Sequence, residues 1–502
     1  MQRPARVRSS PARCTSGAAT SLARTELPPW ARVEPWAAAL ALGWCALRLG
    51  RGLGPEPFYN SDCAVPILLM QGMGEGAFAL YYPRQDRFGM WPFLLGRVLH
   101  LGSPEAFHVL SVLGLCSAAF PLARLLGSPA LGVATLLLPL VLERSVAWNF
   151  FQAGQPYLWQ VVAQIWAWWA CRVALTGAKR GARLTGLAGL GVAAALAAWM
   201  NTASLACLPA VGVLEVLRAR ASVRRALGAL AALGAAAGIE AGIHARYNAL
   251  CLKTFGERFV TPLRIDHGHL LANLFPVLSA LRTAGGLWPL LLGGAALAVP
   301  GRSRAERFNL LALLAFACAV LPGFVLIRYF RGNDFAGRYF SFPTYWALAA
   351  AVYGVALLAS TVARERQGLV RAGVLGALAL LVRAGPPDPL AEPRAQARTL
   401  SAGGAAVLLA DYLEVYVPAS LAPGRVLVPV GAEGNLNRYP DAVAALRPGR
   451  RVLAPCTLDR PDGTLEQHGA LLRRTEAEPV SAGGQIWCLH AVERAASLPG
   501  PG

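Results

Sequence analysis

Long apolar segments alternate with short polar loops over the first 384 residues of the chain. Crossing a bilayer takes about 20 apolar residues, and somewhat shorter segments are tolerated. On that measure the pattern predicts eleven spans, at residues 34–50, 106–126, 129–146, 156–175, 183–199, 202–217, 226–245, 280–300, 307–327, 340–360 and 368–384. The expected fold is therefore a polytopic α-helical membrane protein.

The basic residues support this alternation, because they fall into loops on one side of the predicted bundle. These loops are the N-terminal tail (1–33), Arg124, 179–183, 218–225, 302–307 and 364–371. By the positive-inside rule they are cytoplasmic.

The same assignment requires residues 88–101 not to cross the membrane. A crossing there would put the later basic loops outside. This segment of about 14 residues is interrupted by Pro92 and Arg97, which suits an interfacial helix better than a span. We expect an outer loop at 51–105 that carries two surface helices, one near 62–74 and this one.

An odd number of spans places the C-terminal region outside. A Pro-rich linker at 385–393 marks a boundary after the membrane domain (34–384). In residues 394–502, short apolar runs alternate with helix-like pieces, which predicts a small soluble α/β domain.

Composition agrees with this class. Of the 502 residues 55% are hydrophobic and 15% charged, which excludes an ordinary soluble protein. The net charge of +20 follows the loop topology and does not indicate a nucleic-acid partner.

Most of the ten cysteines lie in apolar segments. Cys456 and Cys488 lie in the polar C-terminal region, and whether they form a disulfide is left open.

The segment Phe58 to Pro92 carries three acids directly after the first span. Asp62, in the sequence NSDCAVP, either caps a surface helix or acts in catalysis, and the two roles are compatible. Glu75, between glycines, is more typical of a loop. Asp86 lies between Arg84 and Arg87, so it either pairs with them or contributes to a site.

Aromatic residues surround these acids. Tyr81, Tyr82 and Trp91 are typical both of an interfacial anchor and of a wall that binds sugar.

A second polar cluster, RYFRGNDFAGRYFSFP at 328–343, carries Arg331 and Arg338 in a predicted outer loop. The guanidinium fork matches phosphate oxygens, so these residues either bind a lipid-linked phosphate or contact headgroups as ordinary surface arginines.

Three other groups carry less specific signals. Asp266, His267 and His269 form a DHGH sequence that resembles a metal cluster only superficially, so no metal site is predicted. Glu240 and His244 share a helix face four residues apart and form either a site or a packing pair. The same holds for Gln160 and Gln164.

The segments NSDCAVPILL (60–69), YYPRQDRFGMWPFLL (81–95) and GRYFSFP (337–343) resemble the GT-C superfamily of membrane glycosyltransferases. The similar branch includes protein O-mannosyltransferases and aminoarabinose transferases. The resemblance implies that Asp62 is the catalytic acid, that Asp86 assists, and that Arg338 binds the lipid phosphate. Many members have paired acids where this chain has Ser61-Asp62-Cys63. The cofactor therefore stays unknown, with a divalent cation possible and not required.

The expected function is transfer of a sugar from a polyprenyl-phosphate donor to an acceptor, with inversion and with Asp62 as general base and Arg331 assisting Arg338. The expected location is a bacterial inner membrane, with the N-terminus cytoplasmic and the C-terminal domain periplasmic. The alternatives are a multi-span transporter or lipid flippase, and a non-catalytic relative that binds a lipid-linked sugar. The sugar, the acceptor and the oligomeric state are not predicted.

Overall fold

The computed structural model describes a helical bundle followed by a smaller α/β domain. The described residues are 33–49, 61–71, 80–81, 88–141, 150, 157–255, 258, 265–362, 366–382, 390–422, 426–429, 444–467 and 469–495.

The described helices of the bundle and its loops are α1 (Val33–Leu49), α2 (Ser61–Met70), α3 (Trp91–Val98), α4 (Pro104–Ser117), α5 (Ala119–Leu126), α6 (Pro129–Val141), α7 (Tyr157–Thr176), α8 (Arg180–Met200), α9 (Ser204–Ala219), α10 (Val223–Phe255), α11 (Leu270–Thr283), α12 (Leu287–Ala296), α13 (Arg304–Cys318), α14 (Leu321–Leu326), α15 (Arg328–Gly332), α16 (Ser341–Val362) and α17 (Gln367–Leu381).

Ten of the eleven predicted spans coincide with helices or helix pairs of the structure. Within the described residues, five helices are long and apolar enough to cross a membrane: Pro104–Leu126, Arg180–Met200, Val223–Lys253, Arg304–Leu326 and Arg338–Thr361. A bent pair brings this number to six at most. The polytopic helical class is confirmed, and the count of eleven spans is confirmed only in part.

The predicted span at 280–300 is not one continuous helix. The structure has α11 and α12 there, bent by 90° to each other around residues 284–286. Gly285 adopts φ +77°, a conformation that favours glycine. A Cβ on Gly286 would lie 2.6 Å from Oγ1 of Thr344 on α16. The two glycines therefore allow the sharp turn and the close approach of the neighbouring helix.

A buried charge network joins several bundle helices. Glu215 on α9 is 1% exposed and lies 2.5 Å from Arg172 on α7 and 2.7 Å from Arg218. Arg172 also donates to Oδ1 of Asn309 on α13 and to the carbonyl of Leu125 on α5. Charge inside such a bundle is stable only when it is paired and hydrogen-bonded in this way.

The first loop contains two short helices that differ in burial. In α3, Val98 is 73% exposed whereas Phe93 is buried, and its 8 residues extend only about 12 Å, too short for a crossing. In α2, all described side chains from Cys63 to Met70 are buried. We expected α2 to be a surface helix. It is instead covered by a helix of the C-terminal domain, and Gln71 donates to the carbonyls of Gly102 and Ser420.

The described C-terminal domain consists of α18 (Ala391–Ala402), β1 (Val407–Ala410), α19 (Tyr412–Leu421), β2 (Val426–Pro429), β3 (Arg451–Pro455), β4 (Thr464–Gln467), β5 (Ala470–Arg474), β6 (Val480–Ala482) and β7 (Gln485–Arg494). The strand order is β2-β1-β3-β7-β5-β4, and β6 pairs with β7. The pairs β1–β2 and β1–β3 are parallel, and the others are antiparallel.

A disulfide links Cys456, just after β3, to Cys488 on β7. Adjacent positions of the two strands pair directly, Ala454 with Cys488 and Pro455 with Trp487. The pairing that the sequence left open is therefore present. Of the other described side chains, those of Cys116, Cys171, Cys207, Cys251 and Cys318 form no disulfide.

Candidate active site

The first loop is tied to the end of α8. Tyr81 and Gly89 form an antiparallel bridge, and Nε1 of Trp199 donates to the carbonyl of Leu80 at 2.7 Å. A Cβ on Gly89 would lie only 2.2 Å from the carbonyl oxygen of Trp199, so a glycine is required. We call this end of the helix bundle the loop end.

A cavity of roughly 440 Å³ opens at the loop end. Its polar lining comprises Asn201, Thr202 and His244, and its aromatic lining comprises Phe88, Tyr157, Phe324, Tyr329, Phe330, Tyr339 and Phe342. The hydroxyls of Tyr329 and Tyr339 are 3.0 Å apart. Aromatic faces with a few hydroxyl and amide groups suit a ligand that has apolar faces and polar edges, such as a sugar ring.

Arg338 lies beside this cavity. Its Nη2 donates to the hydroxyl of Tyr339 at 3.4 Å, and its Cζ is 5.3 Å from the centre of that ring. Its side chain is exposed. Among the described residues no carboxylate pairs with Arg338, so its charge is available to an anionic ligand.

Arg331 has a different environment. Its Nε is 3.1 Å from Oδ2 of Asp266, which is buried. The Asp266 amide donates to the carbonyl of Leu326 at 2.7 Å, and its Oδ2 accepts from Asn273 at 3.2 Å. Burial tends to raise the pKa of Asp266, but the hydrogen bonds from Asn273 and His269 and the charge of Arg331 outweigh burial and lower that pKa. Arg331 therefore holds two loops together in this structure.

Two of the aromatic residues predicted for the site, Tyr81 and Trp91, make contacts within the protein. Tyr81 is fully buried, and its hydroxyl donates to Oε1 of Glu240 at 3.0 Å. Its ring packs edge-on against His244, with centroids 5.7 Å apart. Trp91 packs on Trp159 and donates through Nε1 to the carbonyl of Leu196, so its ring fixes α3 to α8.

The structure describes only a part of the two predicted acids, Asp62 and Asp86. Asp62 is the second residue of α2, and its side chain lies outside the described residues. Asp86 and Tyr82 also lie outside them. The bridge between Tyr81 and Gly89 holds together the two ends of the segment that contains Asp86, beside the cavity wall at Phe88.

The parts of the site that depend on packing carry no signal in the sequence. Asn201 and Thr202 follow a helix end and carry no motif, and nothing links Asp266 to Arg331 in sequence. The four-residue spacing of Glu240 and His244 did indicate that these two side chains share one face of a helix. No group of three His, Cys, Asp or Glu side chains capable of holding a metal ion occurs in the described part of the chain.

No protein-family model matches the chain, and no curated protein does. Solved structures do match. ArnT from Cupriavidus metallidurans in the apo state is 14% identical, with a TM-score of 0.45 over 91% of this chain and 97% of that one. The same protein bound to undecaprenyl phosphate is 14% identical, with a TM-score of 0.48 over 94% and 100%.

An oligosaccharyltransferase from Archaeoglobus fulgidus, in complex with Zn and sulfate, is 12% identical, with a TM-score of 0.43 over 84% of this chain and 68% of that one. These likenesses are distant.

Proposed function

We propose that the protein transfers a sugar from a polyprenyl-phosphate donor to an acceptor at the loop end of the bundle. The observation that carries this proposal is Arg338, an exposed guanidinium with no carboxylate partner among the described residues, beside an aromatic cavity of about 440 Å³. Guanidinium matches phosphate oxygens, and the aromatic walls match a sugar ring. One ligand that carries both groups fits this combination.

An apolar groove on the opposite side of α14 supports a lipid-linked donor. The groove has a volume of about 550 Å³ and is lined by Leu271 and Leu274 of α11 and by Leu321 and Val325 of α14, among other apolar side chains. Gly323 and Phe324 of the same helix line the aromatic cavity. A ligand with a phosphate-sugar head and an isoprenoid tail could therefore place its head in the cavity and its tail in the groove.

The proposed reaction is a single displacement. The acceptor oxygen bonds to the anomeric carbon while the bond from that carbon to the phosphate oxygen breaks, which inverts the configuration. Asp62 takes the acceptor proton as general base, and Asp86 assists from the same loop. Arg338 stabilises the negative charge on the departing lipid phosphate. Arg331 contributes by holding its loop in place through Asp266.

The proposed location is the inner membrane of a bacterium, with the loop end and the C-terminal domain on the periplasmic side and the N-terminus in the cytoplasm. The disulfide between Cys456 and Cys488 supports this orientation, because disulfides persist in oxidising compartments.

A lipid transporter is the second candidate, because broken helices are typical of transporters. The 90° bend between α11 and α12 is such a break, and α11 lines the apolar groove. A transporter would move the lipid without cleaving its sugar-phosphate bond.

The test uses the purified full-length protein in nanodiscs with a panel of radiolabelled polyprenyl-phosphate sugars and a membrane extract as acceptor source. We expect release of free polyprenyl phosphate from one donor and at least a hundredfold slower release by Arg338→Ala. The matched control is Arg246→Ala, an exposed arginine of α10. No release from any donor, or equal loss in both variants, would overturn the proposal.

A further inference from the structure

We propose that a second pocket, along the loop end of α10, is the acceptor site and that it takes a neutral, hydroxyl-rich acceptor such as a sugar. This inference rests on the proposed function. The pocket has a volume of about 670 Å³, and its polar lining consists of Glu240, His244, Asn248 and Arg258.

Three of these residues share one stripe of α10. Glu240, His244 and Asn248 are spaced four residues apart, so their side chains lie above one another along about 12 Å of the helix. The helix has 33 residues, and about 20 of them suffice to cross the hydrocarbon core. Counted from Arg225 at its start, about 20 residues end near Ala245, so Glu240 and His244 lie at the outer end of the span and Asn248 lies just beyond it.

The stripe is rich in hydrogen-bond acceptors. Oε1 of Glu240 accepts from Tyr81 at 3.0 Å, and a carboxylate has room for several more donors. Oδ1 of Asn248 is buried and has no donor within the described residues. An unsatisfied buried acceptor costs about 1–3 kcal/mol, so rotation of the amide that turns this oxygen toward a ligand O–H or N–H in the pocket is favourable.

The charges of the pocket disfavour an anion at the stripe. A phosphate beside Glu240 would meet a carboxylate, whereas the exposed Arg258, which lines the same pocket, would attract an anion only at its own position. Neutral hydroxyl groups avoid this repulsion and can donate to both oxygen acceptors. The chemistry therefore favours a polyol over a phosphate-bearing group at this position.

His244 connects this pocket to the donor cavity, because it lines both. Its Nδ1 is 3.8 Å from Oε1 of Glu240, and the Tyr81 ring packs against it. These contacts fix the imidazole between the two spaces. An acceptor bound along the stripe would thus present a hydroxyl next to the cavity that holds the donor sugar.

A purely structural role explains some of these contacts. The hydrogen bond between Tyr81 and Glu240 anchors the first loop on α10, and that role needs no ligand. It does not account for the unsatisfied Oδ1 of Asn248, which contributes nothing to the anchor, or for the pocket itself.

The experiment measures binding in the absence of donor, so it does not depend on sugar transfer. Wild-type protein and Asn248→Leu in nanodiscs are titrated with a panel of radiolabelled neutral methyl glycosides and with glucose 1-phosphate. We expect at least one neutral glycoside to bind more tightly than glucose 1-phosphate, and Asn248→Leu to bind it about tenfold more weakly. Asn248→Asp keeps the acceptor oxygen and should stay within about threefold of wild type.

The matched control is again Arg246→Ala, and an unchanged melting temperature verifies that each variant is folded. The proposal is overturned if no neutral glycoside binds, if glucose 1-phosphate binds more tightly, or if folded Asn248→Leu retains wild-type affinity. If the glycoside binds as expected but no donor is ever cleaved, the proposed function fails and the binding site stands.

Discussion

Oδ2 of Asp266 and Nε of Arg331 lie 3.1 Å apart, although Asp266 lies before α11 and Arg331 lies on α15. The same aspartate accepts from Asn273 and contacts His269, and the neighbouring Ile265 forms a bridge with Ile327. One carboxylate thus fixes the segment that leads to Arg338. The position of Arg338, the proposed phosphate-binding residue, therefore depends on Asp266, which has no proposed role in binding phosphate.

The Asp266 pair should make stability depend on pH. Because the folded pKa of Asp266 is lowered below its ordinary value of 3.8, the ionised carboxylate stabilises the fold above that value, and this contribution is lost as the pH falls through the folded pKa. The melting temperature of wild type should exceed that of Asp266→Asn at neutral pH, and the gap should close below about pH 4. A gap that stays constant down to pH 2 would contradict this expectation.

The proposed base can be tested with a charge-neutral substitution. Asp62→Asn should reduce release of polyprenyl phosphate by at least a hundredfold, because Asn cannot accept the acceptor proton. The control is Asp334→Asn in the exposed loop before Arg338. Asp334 has φ +49°, and Asn tolerates this conformation as well as Asp does. Transfer at the wild-type rate by folded Asp62→Asn would remove Asp62 from the mechanism.

The disulfide should stabilise the C-terminal domain. Closing a loop of 32 residues contributes about 3–4 kcal/mol in the chain-entropy treatment. The double variant Cys456→Ser, Cys488→Ser should be cleaved by protease within this domain at a lower denaturant concentration than wild type. Cys318→Ser, which removes an exposed free thiol, is the control. Equal resistance of the double variant and wild type would argue against a stabilising disulfide.

The buried network of Glu215 should be sensitive to loss of one charge. Glu215→Gln leaves the guanidinium groups of Arg172 and Arg218 without a counterion and should cost about 3–5 kcal/mol. Glu306→Gln changes the same group at the start of α13, where Gln can form the same capping box with Ser303, and should cost far less. Thermal unfolding in nanodiscs compares the two, and equal shifts would show that the network adds nothing.

The proposed orientation predicts which positions react from the same side. Val98→Cys on α3 and Ile486→Cys on β7 are both well exposed and should react with an impermeant thiol reagent added to the periplasmic side. Lys179→Cys, in the loop before α8, should react only after the membrane is permeabilised. Gly89 is unsuitable as a probe, because any Cβ there meets Trp199. Labelling of Val98→Cys and Lys179→Cys from one side would contradict the proposed topology.

Hydropathy located most of the helices because burial against lipid or protein selects apolar residues along each one. It failed at 280–300, where Gly285 and Gly286 bend an otherwise apolar segment. It also gave the wrong environment for α2. An apolar helix has the same hydropathy pattern whether lipid or protein covers it.

Sequence located candidate residues of the site but did not assign their partners. Arg331 and Arg338 carry the same motif signal, but Asp266, distant in sequence, pairs only with the first. Glu240 and His244 were visible because helix spacing is local. The hydrogen bond between Glu240 and Tyr81 spans 159 residues and could not be inferred from one sequence.

The burial of α2 sets an order of events during synthesis. Gln71, next to this helix, bonds the carbonyl of Ser420, which is translated 349 residues later. Because chains fold from the N-terminus as they emerge, α2 is made early and must wait for the last domain to cover it. A chain that stops before α19 would insert its spans but leave the helix of Asp62 uncovered. The proposed base would thus reach its final surroundings only after α19 has folded.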